Sequence, residues 1–464
     1  MSRERLTEAV IPSPRSEYWI RPPCSRRGIV RQPAYQYSDI LHSRNSRARR
    51  DCGGETRERE TALGDLRVLD LTGEIGVYCT KLLADLGADV IRIEPPGGHP
   101  MRRVGPFVQD QPDEEKSLYH FIFNTSKRGV TLNVEDPEGQ EILRQLVKKV
   151  DLLVETFPPG YMQELGLGYE ELSEINPGLI MASITPWGQT GPYKHFKATN
   201  IVGDAMGGLM FVSGSPEDPP LMSSANQAYY LAGEQAAVGV MMALYYRDNT
   251  GEGQYIDISM QEAVALTIQP QSMFWPGKRE VAKRFGYGQR TSNALIYASS
   301  FYRCKDGWIT GLYTQPRNWV DMVAWLTETG FVDDLADPKY NAEDERLKEA
   351  DHIQEVMTRF AAAHTMDELT EGGQRYHMFV FPTYTASDIV NDPHLKDRNF
   401  FQDVEHSELG RTITYPGAPY GLSGTPWRIS RRAPLLGEHN LEVYHGELGI
   451  PKERLATLKS VGTI

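Results

Sequence analysis

Leu66-Arg67-Val68-Leu69-Asp70-Leu71-Thr72-Gly73, followed by Val77 to Leu86 and then Gly87-Ala88-Asp89-Val90-Ile91-Arg92-Ile93-Glu94, is the stretch that decides the fold. Its first segment is a strand candidate that Thr72-Gly73 ends. Val77 to Leu86 carries apolar residues at helical spacing (Leu82, Leu83, Leu86), and Gly87 supplies a helix stop. Ala88 to Glu94 is a second strand, closed by Pro95-Pro96-Gly97-Gly98. Two strands joined through a helix predict parallel neighbours, because only a crossover returns the chain in the same direction.

The pattern continues outward. A helix over Gly139–Val150 runs into the strand Asp151–Glu155, and a further strand, Leu179–Thr185, ends at Trp187-Gly188-Gln189-Thr190-Gly191-Pro192. A long helix over Leu231–Tyr246 precedes Thr250-Gly251-Glu252-Gly253-Gln254 and the strand Tyr255–Ser259. Order loosens around residues 275–300, then a strand-like and a helical segment follow over Trp308–Trp325, and the tail ends in a helix near Lys452–Leu458. The expected division is residues 63–284 as the first part of a large domain, 285–395 as a smaller one, and 396–464 as a C-terminal part.

Before residue 62 the chain is different: arginine-rich (Arg26, Arg27, Arg44, Arg47, Arg49, Arg50), without lysine, and without sustained apolar periodicity. Such a segment buries too little surface to offset its ordering entropy. Residues 1–62 are therefore expected to be a disordered extension. Glu4, Glu8, Glu17 and Asp39 argue against a targeting peptide, which is acid-poor.

Composition narrows the function classes. A net charge of −13 disfavours nucleic acid and anionic membrane, which both need a basic surface. No apolar run approaches the roughly 20 residues that span a bilayer. Four cysteines (Cys24, Cys52, Cys79, Cys304) form no CxxC pair, and the histidines show no HExxH spacing, so a disulfide framework and a metal site are both disfavoured. Scattered free thiols suit a reducing cytoplasm.

Several further segments lie in register along the chain: Asn124-Thr125-Ser126-Lys127-Arg128, Asp136-Pro137-Glu138-Gly139, Leu153-Val154-Glu155-Thr156-Phe157-Pro158-Pro159-Gly160, Gly207-Gly208-Leu209-Met210, Asp392-Pro393-His394 and Pro434-Leu435-Leu436-Gly437-Glu438-His439. With the segments above, they resemble the class III CoA-transferase family, which includes formyl-CoA transferase and carnitine CoA-transferase. The resemblance implies a Rossmann-like large α/β domain built from both chain ends, a smaller inserted α/β domain, and two subunits interlocked as a dimer. It implies no bound cofactor, a CoA thioester as substrate, and an aspartate that attacks the thioester. A carboxylate is competent for that attack, and the enzyme-bound anhydride splits one transfer into easier steps.

Counted in the family's register, Ala228-Tyr229-Tyr230-Leu231-Ala232-Gly233 puts Tyr229 where the aspartate belongs. A phenol, with an ordinary pKa near 10, is protonated at neutral pH. The nearest acids that could substitute are Asp204 and Glu234, each of which also reads as an ordinary helix carboxylate. CoA contacts implied by the resemblance are Arg102, Arg103, Thr156 and Phe157. Glu135 and Glu164 stand where the family often carries basic residues. Reversing two contacts of that kind would carry a micromolar site, about −8 kcal/mol, toward millimolar.

The leading reading is a CoA-transferase subunit that lacks its own nucleophile and pairs with a homologous, aspartate-bearing subunit, as in benzylsuccinate CoA-transferase. Its substrates would be an acyl-CoA and a free carboxylic acid, such as succinyl-CoA and an aromatic succinate. A second reading is a self-sufficient transferase using Asp204 or Glu234. The loop Lys197-Ala198-Thr199-Asn200-Ile201, which has no histidine, argues against a racemase; a third reading, a nicotinamide-dependent oxidoreductase, is opposed by Thr72-Gly73-Glu74-Ile75-Gly76, which lacks GxGxxG.

Overall fold

The computed structural model describes residues 61–215, 217–282, 284, 301–311 and 318–464. The expectations for residues 1–60 and for the start of the smaller domain at 285–300 lie outside the described residues.

Six parallel strands form the central sheet: β1 (Arg67–Leu71), β2 (Asp89–Glu94), β3 (Arg128–Thr131), β4 (Leu152–Glu155), β5 (Ile180–Thr185) and β6 (Tyr255–Ser259), in the order β3-β2-β1-β4-β5-β6. This is the doubly wound arrangement of a Rossmann-like fold. The α/β expectation holds, and β3 is a strand that the sequence pattern did not mark. Arg128-Gly129-Val130-Thr131 has one aliphatic residue and a glycine, so it carries no apolar run, yet all four residues are buried. Pairing with β2 is what makes it a strand, from Ile91↔Arg128 to Glu94↔Thr131.

Both faces of the sheet are covered, which is why its strands read as nearly continuous apolar runs. On one face Leu69, Ile91, Leu153 and Met181 meet Ile142, Leu143, Leu146 and Val147 of α3 (Pro137–Val147). The chain's end joins that face: Val443, Tyr444, Leu455, Leu458 and Ile464 belong to the same core, and the Tyr444 hydroxyl donates to the Thr131 carbonyl at 2.9 Å. On the other face Val68, Val90, Leu152 and Ala182 pack against α1 (Val77–Asp85) and α8 (Gln227–Thr250). The intervening helices are α2 (Leu118–Phe123), α4 (Tyr161–Glu164), α5 (Tyr169–Ile175), α6 (Asn200–Met206) and α7 (Leu209–Val212).

Helix α8 runs four residues beyond each expected end. Its sheet-facing positions are Ala228, Ala232, Ala236 and Val240, small residues that let it lie close to the strands. At Gly233 a Cβ would sit 3.0 Å from Tyr78 Cβ and 3.1 Å from the Cys79 nitrogen, so α1 and α8 touch there through backbone. Gly251, in the left-handed region at φ 81°, stops the helix.

A separate core gathers around a three-stranded antiparallel sheet, β7 (Phe301–Arg303), β8 (Trp308–Thr310) and β9 (Phe381–Pro382). Tyr302, Ile309, Trp319, Trp325, Ile353, Phe360 and Leu369 fill it. The hairpin β10 (Phe401–His406) and β11 (Arg411–Pro416) packs Val404 and Tyr415 with Phe121 of α2.

Candidate functional site

The strand order reverses between β1 and β4: the chain winds outward to β3 on one side and to β6 on the other. In an open parallel sheet the crevice at the carboxyl ends of two such strands is where ligands bind. Here its walls are the loop 72–76 after β1 and the loop 156–160 after β4. They are tied together by the Gly73 N–H, which donates to Thr156 Oγ1 at 2.7 Å. Gly76 is pressed into the junction, since a Cβ there would lie 2.6 Å from Thr156 Cγ2 and 2.9 Å from Ile184 Cδ1.

A buried ionic cluster sets the start of the first loop. Asp70 accepts from the Thr72 N–H (2.9 Å), Thr72 Oγ1 (2.6 Å), Thr80 Oγ1 (2.8 Å), Lys127 Nζ (2.9 Å) and Arg92 Nη1 (2.9 Å). Burial alone would raise the Asp70 pKa, but Lys127 and Arg92 outweigh it and hold the carboxyl well below its usual range. Burial brings the Lys127 ammonium down to about 8 against the pull of Asp70. Arg92 also donates to the Thr72 carbonyl, so both the N–H and the C=O of Thr72 are claimed from beneath.

Tyr229 lies in the first turn of α8, half-buried beside this crevice. Asn200 of α6 caps that turn across the chain, accepting from the Ala228 N–H at 2.9 Å and the Tyr229 N–H at 3.4 Å. Burial and then the charge of Glu74 push the Tyr229 phenol above its ordinary pKa, so it stays protonated and is no nucleophile near neutrality. Tyr230, the next residue, packs edge-on to Tyr78 with centroids 4.9 Å apart.

Of the two substitute acids, Asp204 is fully buried and accepts from the Ser223 hydroxyl, which leaves it no approach for a thioester. Glu234 is exposed on α8, five residues beyond Tyr229. Asp204 is thereby closed to a thioester, while Glu234 stands in solvent.

Among the expected CoA contacts, Arg102 is spent elsewhere. It is completely buried and paired through Nε and Nη2 with the Glu94 carboxylate (2.8 and 2.7 Å), with Nη1 on Glu115 at 2.8 Å. It closes β2 onto the loop that follows and has no free donor face for a phosphate. Arg103 is exposed, pairing with Glu114 at 2.7 Å and donating to the Gly97 carbonyl at 3.5 Å, interactions that solvent keeps weak. Thr156 serves the loop junction. Phe157 stacks on Tyr161 of α4 with centroids 4.8 Å apart. The Tyr161 hydroxyl donates to Glu135 at 2.8 Å, so this acid is held beside the aromatic pair, while Glu164 is exposed on α4.

Three titratable groups at the crevice were not singled out as site residues. Glu155 ends β4, buried, accepting the Phe157 N–H at 2.5 Å, and burial raises its carboxyl to about 7. His99 lies against the first loop, its Nε2 3.7 Å from where a Gly73 Cβ would be, and burial followed by Arg92 lowers it to about 4. Glu74 occupies the loop itself, half-buried, and burial raises its pKa. Its sequence signal is only an acid immediately after Thr72-Gly73 at a strand end, common enough in solvated turns to pass unnoticed. Among the described residues no group of histidine, cysteine or acidic side chains is arranged to hold a metal ion, and no helix is long and apolar enough to cross a membrane.

The model of CoA-transferase family III matches residues 63–440. The succinyl-CoA:(R)-benzylsuccinate CoA-transferase subunit BbsE of Thauera aromatica is 36% identical over 408 residues, covering 86% of this chain and 97% of that protein. The succinyl-CoA–L-malate CoA-transferase beta subunit of Chloroflexus aurantiacus is 31% identical over 404 residues, covering 86% and 97%. A crystal structure of a CAIB/BAIF family protein from Brucella suis superposes with a TM-score of 0.74 at 26% identity, over 83% of this chain and 99% of that one.

Proposed function

Because this chain belongs to CoA-transferase family III, we propose that it works as one subunit of a two-subunit CoA-transferase whose homologous partner brings the carboxylate that attacks the thioester. The observation that carries this reading is Tyr229, a protonated phenol in the first turn of α8 where the family's register calls for an aspartate. The burial of Asp204 and the outward placement of Glu234 weigh against replacement by either. Acyl-CoA and a free carboxylic acid are the substrates, with succinyl-CoA as the donor on the likeness to two succinyl-CoA transferase subunits. Phe157 and Tyr161 offer an apolar rest beside the crevice. Of the two expected phosphate contacts, Arg103 is the one that stands exposed.

An interlocked pair of chains also accounts for the outer side of α8. Val238, Met241, Met242 and Tyr245 stand exposed there, Tyr245 at 76%, and they line a groove with Leu82 of α1 and Leu86 just beyond its end. A continuous apolar face of this kind marks a contact surface, and burying it against a homologous chain would stabilise both.

The test is CoA transfer from succinyl-CoA to a series of acids by the full chain alone and with its homologous partner. Turnover is expected only from the pair, and robust turnover by the lone chain overturns the reading.

A further inference from the structure

We propose that Glu155 is a positioning residue for the acyl-CoA: its carboxyl holds the backbone at Phe157 and so sets where the Phe157–Tyr161 pair stands on the wall of the crevice. The inference rests on the reading that this crevice takes an acyl-CoA, and deepens it by naming what fixes the wall. It assigns the chain no nucleophile.

The wall has few means of holding itself. Between Thr156 and Gly160 run Phe157, Pro158 and Pro159, and proline has no N–H, so the Phe157 amide is the only backbone donor in that interval. It donates to the Glu155 carboxyl at 2.5 Å. The acceptor is itself rigidly placed, because Glu155 ends β4 in register with Leu71 of β1 on one side and Ser183 of β5 on the other. Gly160, in the left-handed region at φ 91°, turns the chain into α4. There Tyr161 stacks on the Phe157 ring and donates its hydroxyl to Glu135. The aromatic surface is thus anchored at one end by Glu155 and at the other by α4.

Stability alone does not account for an acid at this position. Glu155 is buried, and among the described residues no cation acts on it. A carboxyl in that setting lowers stability wherever it ionises, which an aliphatic residue of similar size would not do. What the carboxyl supplies is an acceptor of the right reach for the one amide that can pin the wall. Without it the Phe157 N–H would be left to open the loop toward water.

The experiment uses the full chain assembled with its homologous partner, as the parent and as Glu155→Leu, Glu155→Asp and Glu155→Gln. Succinyl-CoA binding is read by calorimetry, and amide exchange of the peptide spanning 156–161 reports the wall directly. Leucine has no acceptor and aspartate withdraws it by one methylene. Both are expected to bind succinyl-CoA about tenfold more weakly and to exchange faster in that peptide, while glutamine, which keeps an acceptor at the same reach, matches the parent in both. Parent-like binding by the leucine and aspartate variants overturns the proposal and leaves the crevice reading in place. Equal weakening in the glutamine variant overturns it too, because charge rather than reach would then be responsible, and so does faster exchange spread over the whole chain. If succinyl-CoA does not slow exchange of the parent's 156–161 peptide, both the proposal and the crevice reading fall.

Discussion

The Gly73 N–H donates to the Thr156 hydroxyl at 2.7 Å, joining the loop after β1 to the loop after β4 across the switch point of the sheet. The Thr156 methyl at the same time fills the space above Gly76. One side chain therefore fixes the crevice by a hydrogen bond and by packing, and the two can be separated. Thr156→Val keeps the methyl and loses the acceptor, at a cost of about 1 kcal/mol. Thr156→Ser keeps the acceptor and loses the methyl. Weaker acyl-CoA binding, by about fivefold, is expected for the valine variant, with a smaller change for serine, read by calorimetry on the assembled enzyme.

Arg102 and Arg103 are adjacent in sequence and should behave oppositely. Arg102→Met leaves Glu94 buried without its partner, a loss of about 3–5 kcal/mol in stability. Arg103→Ala removes an exposed pair and should change stability by less than about 1 kcal/mol. If Arg103 meets a phosphate, its variant binds CoA less tightly while unfolding normally. Denaturant unfolding and CoA titration of the two proteins check the contrast.

Glu155 gives the protein a pH-dependent stability of known sign. Its folded carboxyl titrates near 7, above the ordinary 4.5, so between those values the folded state holds a proton that the unfolded state has lost. Stability from this group is full below about 4.5 and falls as pH rises through 7. Glu155→Gln removes the charge, and its gain over the parent should grow to at most about 3 kcal/mol at pH 8. Unfolding of both proteins at pH 5 and pH 8 tests this: equal differences at the two values would contradict the assignment.

Tyr229→Asp places a carboxylate in the first turn of α8, where Asn200 caps the helix and the dipole favours negative charge. The helix start should survive, and the lone chain should form a succinyl adduct at that position. Tyr229→Phe removes only the hydroxyl, which feels a backbone hydrogen bond from Asn200, and should leave stability within about 1 kcal/mol of the parent. Peptide mapping after hydroxylamine quench, with thermal unfolding alongside, separates the two effects.

Residue order carried most of the scaffold. Leu66 to Glu94 contains its own strand, helix, stop and second strand, and because a parallel crossover must bury both strands, their apolar runs announce the fold. The register that puts Tyr229 at the family's aspartate position is a reading of the sequence alone, counted from Gly233. β3 was hidden because Arg128-Gly129-Val130-Thr131 owes its extended shape to pairing with β2 rather than to its own composition. The first turn of α8 was hidden because its cap, Asn200, comes from another helix.

For the site, chain order supplied candidate residue types and three dimensions supplied their use. Two neighbouring arginines look equivalent in a string of letters, yet one is locked against Glu94 and Glu115 and the other stands in water. Asp204 and Glu234 look equally available, yet one has no exposed surface and the other faces outward. Glu74 looked like a turn residue until the closing of β1 beside β4 put it at the crevice. The physical reason is common to all of them. Periodicity encodes which residues must leave water, and so the fold, whereas the state of a charged group depends on the partners and the burial it meets once distant segments come together.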